Sequence, residues 1–291
     1  MSKKKTIIVS LFVMMLWGSL FPMIKLGYKA FEITTLGDIF FFAGMRFVVC
    51  GTVISLITLS TDRKSYGDAK NYISYILLAG FFSIILHYSF TYSAMQITDS
   101  SKTAILKQVG ALFYVCFSFL FFKNDKVTIW KIISAVLGFG GIIVINASSE
   151  GVSFNLGDAL ILAASFSSLT YSIISKKVSQ KVAPLTVTGI SQLFGGIVLL
   201  AMGIIFGGNM HFSLSAIPVF AYICFASTLS YCLWAIILKT GELSKLLIIK
   251  FAEPAFACIF GALILRENVF NVQYISAFIL ICSGIYISNR K

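Results

Sequence analysis

Lys107, Lys250 and Glu253 stand inside otherwise apolar stretches, where an ionisable side chain is expensive unless it pairs, snorkels or faces water. Such groups suit two kinds of chemistry: an ammonium can hold a phosphate or carboxylate, and a desolvated carboxyl can take up and release a proton. Glu253 follows Lys250 by three residues, a spacing that predicts an ion pair on one helix face. A second set is aromatic or amide: Trp17, His87, Tyr88, Tyr171, Gln192, Tyr231 and Trp234 could stack on a solute or hydrogen-bond to it. Trp234 could equally belong to an interfacial aromatic belt, and His87 could be satisfied by a backbone carbonyl. Arg46 is expected to be structural, its guanidinium bonding several carbonyls. Pro22 and Pro254 are candidate hinges, since proline removes a backbone donor, although Pro254 could also be a packed kink.

The same inventory excludes other chemistry. The histidines are His87 and His211, with no HExxH motif and no paired intramembrane aspartates, so neither an enzyme nor a metal site is expected. No GxxxxGK[ST] loop offers nucleotide binding, and no cofactor is predicted. Cys50, Cys116, Cys224, Cys232, Cys258 and Cys282 lack CxxC spacing and read as apolar packing residues.

The elements that must carry these residues are membrane helices. Of 291 residues, 58% are hydrophobic and 12% charged, which excludes an ordinary soluble core. Crossing a hydrocarbon layer takes roughly 20 apolar residues. Stretches of that length fall at 6–27, 36–59, 72–97, 101–122, 129–146, 157–176, 184–206, 217–238, 244–265 and 272–288, giving an all-α polytopic membrane protein of ten transmembrane helices.

The net charge of +12 follows the membrane and does not form a nucleic-acid surface. Lys3, Lys4 and Lys5, then Arg63, Lys64 and Lys70, then Lys123, Lys126 and Lys131, then Lys176, Lys177 and Lys181 occupy one set of loops, with Lys239, Lys245, Arg290 and Lys291. The alternate segments 147–156 and 207–216 contain no Lys or Arg. The positive-inside rule predicts a multi-pass protein of the plasma (inner) membrane with both termini cytoplasmic. The apolar run after the basic start is too long for a secretory signal.

Sliding the chain by 143 residues superposes Lys107 on Lys250, Ser101-Lys102 on Ser244-Lys245, Tyr88 on Tyr231, His87 on Ser230, Gly141 on Gly284 and Asn146 on Asn289. Lysines coinciding in membrane segments predict an internal repeat. Each unit holds five helices, an odd number, so the expected plan is two inverted five-helix repeats, 1–146 and 157–291, joined by an outer linker at 147–156. Inverted repeats imply alternating access around a midplane site. The register sets Glu253 opposite Gly110, which leaves Lys107 without a carboxylate on its own helix and makes it the favoured substrate contact. Gly138, Gly140 and Gly141 are expected to permit close helix packing.

Trp17-Gly18-Ser19 with Pro22 one turn on, Met45-Arg46-Phe47, and Lys250-Phe251-Ala252-Glu253-Pro254 before Arg266-Glu267, in this order across the whole chain, resemble the EamA branch of the drug/metabolite transporter superfamily. The resemblance implies a secondary transporter of small polar metabolites, such as amino acids, with export expected. The lysine pair also resembles the triose-phosphate and nucleotide-sugar transporter branch, which implies the alternative of an organic-anion exchanger anchored by Lys107 and Lys250. The first half departs from the EamA pattern in carrying Ala111 for its usual proline and Asn124-Asp125 for its acidic end residue. Expected partners are the lipid bilayer and a small-molecule substrate, and a homodimer is compatible with this plan.

Overall fold

The computed structural model describes residues 3–110, 128–145, 147–148, 151–152, 154–240, 249–250, 252–269 and 271–288. Most of the fourth predicted span, with Ala111, Phe113, Cys116, Phe117, Asn124 and Asp125, lies outside the described residues. So do Ser244 and Lys245 at the start of the ninth span, and Asn146, Asn289, Arg290 and Lys291.

The helices are α1 Lys3–Ala30, α2 Leu36–Thr61, α3 Lys64–Lys70, α4 Ile73–Ile97, α5 Ser100–Leu106, α6 Ile129–Ile145, α7 Leu156–Val178, α8 Pro184–Ile205, α9 Ile217–Thr240, α10 Ala252–Leu265 and α11 Val272–Ser288. Six of them, α1, α2, α4, α7, α8 and α9, contain stretches long and apolar enough to cross a membrane, and α6, α10 and α11 contain shorter apolar stretches. The protein is a polytopic, helical membrane protein. The short α3, which the pattern of apolar runs did not predict, fills the loop between α2 and α4. Two residues from each side of the linker, Ala147–Ser148 and Gly151–Val152, pair as an antiparallel bridge.

Local sequence starts two of the long helices in the same way. Thr35 and Asp38 form a reciprocal capping box on α2, and Asn155 and Asp158 form one on α7, satisfying backbone donors that a helix start would otherwise leave bare. Asp38 also accepts a bond from the Asn209 backbone (2.8 Å), which ties the loop before α9 to the start of α2.

Helices α2 and α8 pack backbone against backbone, because glycine faces the partner at four points. A Cβ on Gly44 would stand 2.6 Å from Leu200 Cα, and one on Gly51 2.7 Å from Leu193 Cα. One on Gly196 would stand 2.5 Å from Val48 N, and one on Gly203 2.5 Å from Phe41 N. Numbers rise along α2 as they fall along α8, so the two helices are antiparallel. Helices α6 and α11 meet in the same sense: Gly141 faces Ala277 and Ile281, while Gly284 faces Ser134 and Gly138. Gly140, also expected to pack, faces open space.

Two α-helices carry wider turns. The backbone is π-helical over Phe81–Leu86 in α4 and over Gly261–Leu265 in α10. A π turn frees carbonyls from the regular ladder. The Ser167 hydroxyl from α7 donates to the one at Phe82 (2.7 Å), so α7 is bonded to α4 where α4 is widened.

Candidate functional site

Both lysines sit at breaks, not in the continuous helices that the apolar runs predict. Helix α5 ends at Leu106, and the Lys107 carbonyl accepts the Gly110 N–H three residues on (3.4 Å). At Lys250, also in a turn, the carbonyl accepts the Glu253 N–H, again three residues on (3.0 Å), and α10 begins at Ala252. These tightened turns occupy matching positions in the 143-residue register. The Ser165 hydroxyl donates to the Lys107 carbonyl (3.2 Å), so a group freed by the break has a partner.

The expected pairing of Glu253 with Lys250 is not formed. The carboxylate, with its side chain 3% exposed, pairs across the structure with Lys107 at 3.6 Å. The Lys250 ammonium points instead to ring faces. Lys250 Nζ lies 5.6 Å from the Trp17 ring centroid and 5.9 Å from that of Trp234, within cation–π range. Among the described residues no hydrogen-bond acceptor meets this ammonium. Lys107 thus has, among the described residues, the carboxylate partner that the three-residue spacing assigns to Lys250. Lys107 Nζ also lies 5.2 Å from the Phe21 ring.

Aromatic side chains link these charges to a central cluster. Trp17 packs on Trp234 (5.2 Å) and edge-on to Tyr231 (5.9 Å), which ties α1 to α9. The Tyr231 phenol shares a hydrogen bond with the Tyr88 phenol, its counterpart in the register. Arg46 lies against Tyr88, 1% exposed. Its Nε donates to the Ser227 hydroxyl (2.9 Å) and its Nη1 to the Tyr92 hydroxyl, so the partners are hydroxyls where carbonyls were expected. The rings of Phe47, Tyr88 and Tyr92 lie 4.7, 5.3 and 5.8 Å from the guanidinium carbon.

The other candidates separate by role. His87 Nδ1 donates to the Ala164 carbonyl (2.8 Å), the backbone partner that the simpler reading expects. Gln192 is 2% exposed, and neither of its amide atoms has a hydrogen-bond partner. Tyr171 lies near Ser175 and Thr188. Pro22 lies within α1 without ending it. Pro254 stands in the first turn of α10, where a missing N–H leaves no helical bond unmade. Cys50 donates its thiol to the Cys224 carbonyl (3.5 Å), and the described cysteines are free thiols.

At the base-poor end of the bundle, a tie that the sequence reading missed joins the two halves. Glu267 accepts from Ser100 N (2.9 Å) and Oγ (2.7 Å) through Oε1, and from Ser101 N (3.0 Å) and Oγ (2.5 Å) through Oε2. Burial pushes this carboxyl up, but the four donors outweigh burial and hold it below its ordinary value of 4.5. A depressed folded-state value means that the group's stabilisation is complete above the ordinary glutamate range and is lost as the pH falls through the depressed value. On going from pH 7 to pH 3 in detergent, the melting temperature of the native chain should therefore fall further than that of Glu267→Gln. Equal falls would mean that this carboxylate adds no acid lability.

Comparison with known proteins fixes the family. The model of the EamA-like transporter family matches residues 4–147 and again 155–290. The chain belongs to that family. Among relatives of the EamA-like chain, an uncharacterized transporter of Archaeoglobus fulgidus is 24% identical and is covered over 99% of both chains. The chloroplastic WAT1-related protein At3g02690 of Arabidopsis thaliana is 26% identical over 98% of this chain and 69% of its own. The uncharacterized transporter YvbV of Bacillus subtilis is 22% identical over 99% of this chain and 93% of its own. A solved crystal structure superposes with a TM-score of 0.70 at 16% identity, covering 99% of this chain and 97% of its own, which is a likeness of fold. The protein is thus a membrane transporter of the EamA-like family.

Proposed function

We propose that the protein is a secondary transporter that exports small polar metabolites, amino acids or related compounds, by alternating access at the plasma membrane, with both termini cytoplasmic. Ten membrane helices form two inverted five-helix units, 1–146 and 157–291, joined by the linker 147–156. The observation that carries this reading is the matched pair of helix breaks at Lys107 and Lys250. Interrupted helices at corresponding positions of two repeats are where transporters of this plan hold substrate near the bilayer midplane. The antiparallel packing of α2 on α8 and of α6 on α11 supports the inversion, since helices in corresponding places must run oppositely. The hydrogen bond between Tyr88 and Tyr231 supports a two-fold relation passing between them.

In this reading Trp17, Tyr88, Tyr231, Gln192 and Lys250 face the substrate, with His87 beside them. Glu253 is the proton-coupling candidate and Lys107 its counter-ion. Pro22 and Pro254 flank the moving segments of α1 and α10.

The second reading, an exchanger of organic anions such as sugar phosphates or nucleotide sugars, is favoured by one feature. Arg46, Lys107 and Lys250 bring three interior cations, against which the described residues set one carboxylate, Glu253, and no acceptor for the Lys250 ammonium. A ligand oxygen would supply it.

A thermal-shift panel of amino acids, organic phosphates and carboxylates on the purified protein tests both readings. A ligand at 100 times its Kd stabilises by about 2.7 kcal/mol. Stabilisation by an anion that falls about 10-fold or more in apparent affinity in Lys250→Gln, and less in Lys107→Gln, fits the anchoring role of Lys250, since a bond to a charged group contributes about 1.5–3 kcal/mol. Full anion affinity in Lys250→Gln would overturn that role. No stabilisation by any metabolite would count against the transport reading as well.

A further inference from the structure

Three of the carboxylates at the base-poor end of the bundle, Asp99, Asp158 and Glu267, bind partners on other helices. Asp99, after α4, faces Lys25 of α1 at 3.9 Å and accepts from the Tyr274 hydroxyl of α11 (3.1 Å). Asp158 at the start of α7 pairs with Lys102 of α5 at 3.0 Å. Glu267, after α10, takes both backbone and side-chain donors of Ser100 and Ser101. These contacts tie α1 to α11 through Asp99, and tie α7 and the end of α10 to α5.

Glu267 is placed by an unusual backbone. Arg266 adopts a left-handed conformation at φ 58°, which costs a non-glycine residue about 1–2 kcal/mol, and the Glu267 N–H returns to the Gly261 carbonyl at the start of the π-helical turn (3.2 Å). A Cβ on Gly261 would stand 2.8 Å from Glu267 Oε2, so the absence of a side chain there admits the carboxylate. The strained turn, the glycine and the four donors all serve one carboxylate.

We propose that Glu267 is the bolt of an outer gate: with its four bonds made, the pathway is shut on the base-poor face, and these bonds must break for that face to open. The inference rests on the alternating-access reading above. The 143-residue register sets Asn124 opposite Glu267 and Ser244 opposite Ser101. Asn124 is an amide and Ser244 a hydroxyl in sequence, and both lie outside the described residues.

A native cysteine reports on the bolt. The half-buried Cys258 thiol of α10 lies beside the Ser101 hydroxyl that bonds Glu267, while Cys224 of α9 is buried. The full-length protein in right-side-out vesicles is treated with a membrane-impermeant maleimide, and labelling at each cysteine is read by peptide mass spectrometry. Glu267→Gln is expected to raise the labelling rate of Cys258 at least 10-fold while Cys224 stays protected. The Ser100→Ala/Ser101→Ala double variant, which keeps the carboxylate and the backbone donors, should give a smaller rise. Rates within two-fold of the native chain in both variants would overturn the proposal, as would a rise at Cys224 equal to that at Cys258, which marks general loosening. Transport of a metabolite found by the thermal-shift panel is measured separately, so failure of the gate and failure of the transport reading can be told apart.

Discussion

Replacing Gly51 by leucine is expected to remove most of the folded protein from the membrane. Added atoms in a packed interior commonly cost about 1–3 kcal/mol because side chains shift to admit them. Here the obstacle is the backbone of α8 at Leu193, which has no rotamer to change. The two helices would have to separate along a seam that Gly44, Gly196 and Gly203 also keep closed, so the loss should reach or exceed the upper end of that range. Recovery of monodisperse protein after detergent extraction measures this. Gly67 in α3, where an added Cβ meets nothing within 4 Å, serves as the matched control and should accept alanine with little change. Normal yield and melting temperature for Gly51→Leu would mean that the seam is looser than its geometry.

The second large effect is a non-additive one. Glu253 is 2% exposed, and its pairing with Lys107 leaves Lys250 three residues away on the faces of Trp17 and Trp234. Lys107→Met should therefore cost only about 1–2 kcal/mol, the worth of the desolvated cation–π contacts that Lys250 gives up as it turns to the orphaned carboxylate. Removing both lysines strands Glu253, and breaking a buried pair in this way costs about 3–5 kcal/mol. The double variant should regain stability when Glu253→Gln is added. Reversible unfolding in detergent across this cycle is the measurement. Equal stability of the single and double lysine variants would show that Lys250 does not reach Glu253.

How far the sequence could be read follows from which forces leave a linear trace. The lysines at 107 and 250 were legible as a pair because charge is rare in membrane segments, and a shared spacing there has few other sources. The partner of Glu253 was not legible. The three-residue spacing to Lys250 is a local signal, whereas the partner that Glu253 takes lies on a distant segment and the rings that Lys250 faces come from α1 and α9. Gly138 and Gly141 read correctly as packing residues, whereas Gly44 and Gly51, and Gly196 and Gly203, carry the same message at a seven-residue spacing that was overlooked. Glu267 was noticed only as part of a family motif. Its partners, Ser100 and Ser101, lie far away in sequence, and hydroxyls next to an acidic residue in space leave no periodicity.

The seam between α2 and α8 has a mechanical consequence. At Gly44, Gly51, Gly196 and Gly203 backbone faces backbone with no side chain between, so the contact at these points resembles a smooth bearing more than a set of gear teeth. A small roll of one helix on the other would meet few rotamer barriers at these points. Friction at the axle would then be low, and the speed of the cycle would be set at the rim, by how quickly polar bonds such as those of Glu267 are undone.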